Sequence, residues 1–204
     1  NPIDKTERIE QTRESSLELI RQQSGSAQDP SPLWDLLGDD YFIRYSADEI
    51  AWHTKAITKS SSLKLPLIAI REKTFRGASE IFIYTEDVKN LFSRTTLSLD
   101  NLGLNVLDAR IVTSSNNYTL DTFIVLETNG KPIKGKERIK EIRNTLTQQL
   151  SELDKPSKKP SRPRSRKIKH FPIPTRISFS QDESNARTIM EVSTTDRPGV
   201  LSSV

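Results

Sequence analysis

With 204 residues, of which 33% are hydrophobic, 28% charged and 6% aromatic, the chain can bury one modest core and should leave part of its length as linker or surface arm. Its longest apolar run, Leu65 to Ile70, contains a proline and falls far short of the about 20 residues a membrane-spanning helix needs. The formal net charge is +4, there is no cysteine, and the two histidines, His53 and His170, are far apart, which excludes disulfides, thiolate nucleophiles, zinc fingers and histidine-rich metal centres and fits a reducing compartment.

Asn1 is not a methionine and no apolar signal-peptide core follows it, so the chain is expected to be part of a longer one. Residues 3–23 are polar with sparse apolar positions (Ile9, Leu17, Ile20), a weak helix that needs a partner, and Gly25 to Pro32 break it. Ser46 with Glu49 forms a capping box for a second helix carrying Ile50, Trp52, His53 and Ile57. No second histidine, cysteine or paired acid lies near His53, which therefore reads as a packed or helix-surface histidine.

From residue 65 the pattern changes to strands. Leu65 to Arg71 and Glu80 to Tyr84 are short and rich in branched and aromatic residues. Val88, Leu91, Phe92, Thr95, Leu99 and Leu102 then recur at helical spacing, and Gly103 is placed to end that helix. Leu107, Ala109 and Ile111 alternate with polar residues, Ser114 to Asn117 turn the chain, and Tyr118 to Glu127 return as the second arm of a hairpin. Ile139, Ile142, Leu146, Leu150 and Leu153 form another helical stripe that Pro156 stops.

The charge excess lies in one place: residues 155–169 carry 8 basic and no acidic side chains, against 20 and 23 in residues 1–154 and 3 and 4 in residues 170–204. Their prolines and serines favour extended, solvated backbone, so the segment reads first as a linker or loop and second as an electrostatic arm for nucleic acid or an acidic partner. No aromatic residues interleave to stack on bases, and nucleic acid is not the expected partner. Beyond it, Arg176 to Ser180 can supply the last strand of a ferredoxin-like βαββαβ sandwich, an α+β fold of four antiparallel strands with helices on one face. Arg187 to Thr195 reads as a further strand, and the following Asp196-Arg197-Pro198-Gly199-Val200-Leu201 repeats the earlier strand-to-helix passage Asp87-Val88-Lys89-Asn90-Leu91-Phe92. An aspartate before the helix can cap it, proline suits the first turn, and the glycine lets a small ligand approach the exposed N–H groups, which favour a carboxylate. Together these suit an amino acid.

That Asp-x-Pro-Gly-Val-Leu passage within a βαββαβ unit resembles the ACT domain, a small amino-acid-sensing module. Residues 40–46 (Asp-Tyr-Phe-Ile-Arg-Tyr-Ser), 49–54 (Glu-Ile-Ala-Trp-His-Thr), 80–84 (Glu-Ile-Phe-Ile-Tyr), 121–127 (Asp-Thr-Phe-Ile-Val-Leu-Glu) and 170–172 (His-Phe-Pro) together resemble the C-terminal part of the bifunctional uridylyltransferase/uridylyl-removing enzymes that modify the signalling protein PII. The resemblance covers about residues 35–204. It implies a parent with a magnesium-dependent nucleotidyltransferase domain, a phosphohydrolase domain and two glutamine-sensing ACT domains, acting in the cytoplasm on nitrogen regulation. It assigns residues 1–64 to a helical segment, 65–181 to a first ACT domain with 155–169 as its basic loop, and 182–204 to the start of a second. By the same resemblance Asp196, Arg197, Pro198, Gly199, Val200 and Leu201 form the ligand turn. Asp87 and Asn90 are the weaker counterparts, since Asn90 stands where the motif has glycine. No catalytic residue, metal ligand or cofactor is expected in the segment itself: Gly25-Ser26 lacks the paired carboxylates of a nucleotidyltransferase, and neither histidine is followed by aspartate. ACT units commonly pair their sheets, so a dimer through Arg187 to Thr195 is expected. The alternatives are a nucleic-acid-binding module using residues 155–169 and an ACT domain of an amino-acid biosynthetic enzyme.

Overall fold

The capping box forms as the sequence reads. Ser46 Oγ accepts from the Glu49 N–H while the Glu49 carboxylate accepts from the Ser46 N–H at 2.8 Å, and helix α4 (Ala47–Thr58) starts there. Before it lie α1 (Pro2–Ser24), α2 (Ser31–Leu37) and α3 (Asp39–Arg44). Sequence reading missed α2 and α3, which are barely two turns each and held by side chains rather than by propensity. The Trp34 indole N–H donates to Thr54 Oγ1 at 3.0 Å, and Trp34, Tyr41 and Phe42 pack ring against ring. The partner that α1 needed is this group: its buried Ile9, Ser16 and Ile20 face α3 and α4, and Arg13 lies over the Phe42 ring. These coordinates are a computed structural model that describes residues 2–24, 29–59, 64–72, 74, 77–152, 174–182, 187–194 and 200–201. Among them no helix is long and apolar enough to cross a membrane.

Strands β1 (Leu67–Arg71), β2 (Ser79–Glu86), β3 (Leu104–Thr113) and β4 (Tyr118–Glu127) form one antiparallel sheet in the order β1-β2-β4-β3. Helices α5 (Leu91–Asn101) and α6 (Lys136–Ser151) cover one face through Ile81, Ile83, Phe123 and Val125. Helices α1 to α4 cover the other through Phe82, Tyr84, Val112 and Leu120. With both faces buried, the central strands read as continuous apolar runs, and alternation survives only at the edges. Edge strand β3 carries a bulge between Val106 and Asp108 that turns Leu107 outward, 58% exposed. The expected alternation of Leu107 with Ala109 and Ile111 therefore breaks at the bulge, which also blunts the edge against pairing. Gly103, at φ 83°, ends α5, and Asn117, at φ 63°, completes the hairpin turn.

The α+β class and the four-stranded antiparallel sheet are as expected, but the last strand comes from elsewhere. The place beside β2 is taken by β1, in register from Leu67 opposite Tyr84 to Arg71 opposite Glu80. The segment expected to fill it forms β5 (Arg176–Asp182), which pairs with β6 (Arg187–Ser193) in a separate two-stranded sheet. The physical reason is loop closure: β1 reaches β2 across a short turn, whereas β5 would have to return across the long segment after α6. It follows that β6 already has a neighbour in its own chain, which removes the premise on which pairing with another chain was expected.

Phe82 is fully buried at the contact between α4 and the sheet. Phe82→Ala should cost about 3–5 kcal/mol in urea unfolding, whereas Leu107→Ala should change stability by less than about 0.5 kcal/mol.

Candidate functional site

The ligand turn inferred from the sequence falls largely outside the described residues: Asp196, Arg197, Pro198 and Gly199 are not among them, while Val200 is half-buried and Leu201 exposed in a short helical turn. The basic residues 155–169, His170 and Gly25-Ser26 also lie outside. The counterpart turn in the first sheet is described. The Asp87 N–H donates to the Asn117 carbonyl at 2.9 Å, and Asn117 Nδ2 donates back to the Asp87 carbonyl at 3.3 Å. Asn90 takes a left-handed conformation (φ 65°, ψ 13°) and opens α5 with no side-chain capping bond. The residue that replaces glycine thus keeps a conformation that glycine adopts freely and that asparagine tolerates better than most. Asp87, expected as a cap, instead anchors the turn to the β3–β4 hairpin through its backbone.

Near this turn, on β4, Asp121 is 1% exposed and accepts a hydrogen bond from the Thr119 hydroxyl. Burial pushes its carboxyl up to about 7, with the Asp87 charge adding to the rise. Sequence reading did not single it out, because a lone Asp in an apolar strand carries no spacing signal.

A second polar group lies between α4 and the sheet. The first turn of α4 supplies two adjacent acids that reach opposite edge strands. Asp48 meets Arg71 of β1 at 2.6 Å, and Glu49 meets Arg110 of β3 at 2.6 Å. Arg71 also pairs with the fully buried Glu80 of β2 at 3.1 Å and lies over the Trp52 ring at 4.1 Å. Arg110 donates to the Arg44 carbonyl at 2.8 Å and stacks on Tyr45, whose hydroxyl meets Thr122 Oγ1 at 3.0 Å.

His53, fully buried as a packed histidine, sits between these arms with its ring stacked on Phe82 at 4.4 Å. Its Nδ1 meets the Tyr41 hydroxyl at 3.2 Å, and its Nε2 is 3.6 Å from Glu80, a close electrostatic contact rather than a hydrogen bond. Burial lowers the imidazole below its ordinary value, against the pull of the Glu80 carboxylate. Burial presses the Glu49 carboxyl upward, but bonds from Arg110 and Ser46 outweigh it and hold the group below its ordinary value. Among the described residues no three acids or histidines gather as a metal site would require. What the arrangement does chemically is to hold a helix layer and a sheet in one fixed relation through directional contacts.

An antiparallel sheet with two helices on one face, entered by such a turn, defines an ACT-like α+β domain. Residues 4–56, which include α3 and most of α1 and α4, match the family described as "Uridylyltransferase GlnD fifth domain". Aligned over 208 residues, 100% of its length, the chain is 41% identical to the bifunctional uridylyltransferase/uridylyl-removing enzyme of Stutzerimonas stutzeri (strain A1501), of which it covers 23%. It is 38% identical over 208 residues, again covering 23%, to the enzyme of the same name from Pseudomonas fluorescens (strain SBW25). The same-named enzyme of Pseudomonas putida (strain GB-1) is 39% identical over 205 residues, 98% of this chain and 23% of that one. No solved structure matches the chain. The resemblance to the bifunctional uridylyltransferase/uridylyl-removing enzymes thus extends along the whole chain, which spans 23% of the length of these relatives.

Two outcomes are expected. In the folded chain Asp121 keeps a proton that the unfolded chain has lost between its ordinary value of 3.8 and about 7, so its contribution to stability falls as pH rises through that window. Asp121→Asn should flatten that part of the stability profile and stabilise the protein above pH 7 by at most about 4 kcal/mol, read by urea unfolding at several pH values. Arg71→Met alone leaves Glu80 buried beside no cation and should cost about 3–5 kcal/mol, while the pair Arg71→Met with Glu80→Leu should recover part of the loss. A double variant no more stable than the single one would place the role of Arg71 in its packing on Trp52.

Proposed function

We propose that the chain is the regulatory C-terminal region of a cytoplasmic bifunctional uridylyltransferase/uridylyl-removing enzyme. In this reading the parent transfers UMP from UTP to the signalling protein PII and hydrolyses it away again, with magnesium held in the nucleotidyltransferase part outside this chain. Glutamine bound at the ACT-like units biases the two activities through its different affinity for two states of the enzyme. The observation that carries the proposal is the joint between α4 and the sheet. The helices that match the fifth-domain family share a hydrophobic core with the sheet and are tied to both of its edges by Asp48–Arg71 and Glu49–Arg110. A ligand that moved the sheet would therefore move the helices with it.

The test uses a longer protein that carries this chain together with its natural continuation. Gly199→Val in it should weaken glutamine binding at least tenfold in calorimetry without lowering the melting temperature of the sheet formed by β1 to β4, because a branched side chain enters space a ligand needs. Equal affinity in the two proteins would refute the ligand role of this turn. The 204-residue chain itself, given UTP, magnesium and PII, or uridylylated PII, should turn over neither, and turnover of either would refute the regulatory assignment.

A further inference from the structure

The β3–β4 turn touches both layers that flank the sheet. On one side lies the passage from β2 into α5: the Asp87 N–H donates to the Asn117 carbonyl at 2.9 Å, and Asn117 Nδ2 returns a bond to the Asp87 carbonyl at 3.3 Å. On the other side lies the helical layer, where the Ser115 N–H donates to the Leu36 carbonyl of α2 at 2.9 Å. Between these contacts the turn is tied to itself. Ser114 and Tyr118 exchange backbone and hydroxyl bonds at 2.7 to 3.0 Å, and the Asn117 N–H donates to the Ser114 carbonyl at 3.1 Å. A turn closed in this way moves as one piece, so a displacement of the passage reaches α2 and, through the bond from Trp34 to Thr54, α4.

A little further along β4, the buried Asp121 has surroundings that supply no counter-charge. By the alternation of the strand it shares the α5–α6 face with Phe123 and Val125, and its neighbours across the two ladders are Ile83 and Ile111. Helix α6 turns Ile142, Leu146 and Leu150 to that face, and Arg94, the cation near the start of α5, donates instead to the Gln149 and Glu152 carbonyls. Tyr45 and Arg110 lie across the sheet, where Arg110 is paired with Glu49. Thr119 donates to Asp121 from the same strand. The charge that acts on Asp121 is that of Asp87, on the exposed passage itself, and it has the same sign.

We propose that the β3–β4 turn is a clasp joining the passage into α5 to the helical layer, and that the charge on Asp121 decides whether the clasp holds. This goes beyond the regulatory reading and stands whatever ligand the parent senses. Release of the passage from Asn117 separates two carboxylates of one sign and lets water reach the buried one, so both costs of ionising Asp121 are relieved by the same motion. With the passage free, the turn loses one of its two anchors, and its bond to Leu36 opens more often. In the open state Asp121 gives up its proton near its ordinary 3.8, and in the closed state only near about 7. Each pH unit between those limits therefore favours opening by up to about tenfold, and above them both states are ionised and the gain stops.

The test is amide hydrogen exchange of the 204-residue chain from about pH 5 to about pH 8, each rate divided by that of an unstructured chain at the same pH. Opening at the Asp87 N–H should grow at least tenfold from about pH 5 to about pH 7 and then level off, and the Ser115 N–H should follow the same profile. Low urea should leave both rates unchanged while it speeds exchange in the β2–β4 ladder, because the opening is local. Asp121→Asn, which cannot ionise, should flatten both profiles, and in Asp87→Asn the levelling should come at lower pH. Proline suits the second position of a turn such as Ser114–Asn117, so Ser115→Pro removes the donor to Leu36 and keeps the turn. It should raise opening at Asp87 at least threefold at about pH 5. Profiles that stay steep in Asp121→Asn, that keep their levelling point in Asp87→Asn, or that follow the ladder in urea would overturn the control by charge. An Asp87 rate unchanged by Ser115→Pro would overturn the coupling to α2.

Discussion

The imidazole of His53, lying flat on the Phe82 ring, is the contact on which the architecture depends. It brings α4 down onto the middle of the sheet, and in doing so it seals Glu80 from water. A carboxylate removed from water is costly unless a cation accompanies it, and here the cation is Arg71 of β1. Strand β1 must then occupy the edge beside β2, because only from there does Arg71 reach Glu80 while its guanidinium rests on Trp52 and turns toward Asp48. Helix position, strand order and charge placement are thus parts of one constraint.

The other face is held in a different way. Hydrophobic burial supplies the attraction between α5, α6 and the sheet, and two arginines fix their ends. Arg94 donates to the carbonyl of Glu152 at 2.8 Å, placing a cation at the C-terminus of α6. Arg138, near the start of α6, grips the Glu127 carboxylate with two nitrogens at 2.8 and 2.9 Å and also donates to the Leu102 carbonyl just past α5. The α4 face therefore carries polar contacts at both edge strands and, through His53 and Glu80, over the central strand β2, whereas the α5–α6 face carries its own at the helix ends.

How much of this was legible depended on whether the signal was local. The capping box of Ser46 and Glu49, the helical stripes of α5 and α6, the Gly103 stop and the Ser114–Asn117 turn are short-range patterns that formed where they were read, except that Val88 precedes α5 and is exposed and Leu153 lies outside the described residues. Helices α2 and α3 were not read because their stability comes from Trp34, Tyr41 and Phe42 packing on distant partners, not from a periodic pattern. The position of the last strand was misjudged for a related reason: Leu65 to Arg71 and Arg176 to Ser180 both look like strands, and the choice between them rests on the short connection from β1 to β2 and on the Arg71–Glu80 pair, neither of which the local pattern shows. Asp121 and the Asp48–Arg71–Glu80 chain were invisible because their members are scattered across three or four elements. The turn at Asp196 to Gly199 was legible as a motif, and its geometry lies outside the described residues.

Placing the edge strand ahead of β2 also sets the order in which the protein can be finished on the ribosome. Every strand of the first sheet has been synthesised by the time α6 ends at Ser151. A sheet closed by Arg176 onward would have to hold its central strand open through roughly 25 more residues, about 1 to 5 s at ordinary elongation rates, with a row of free N–H and C=O groups exposed to other nascent chains. With β1 already in place, the first domain can close before the basic segment and anything beyond it emerge, and a defect in later-made sequence need not prevent it from folding.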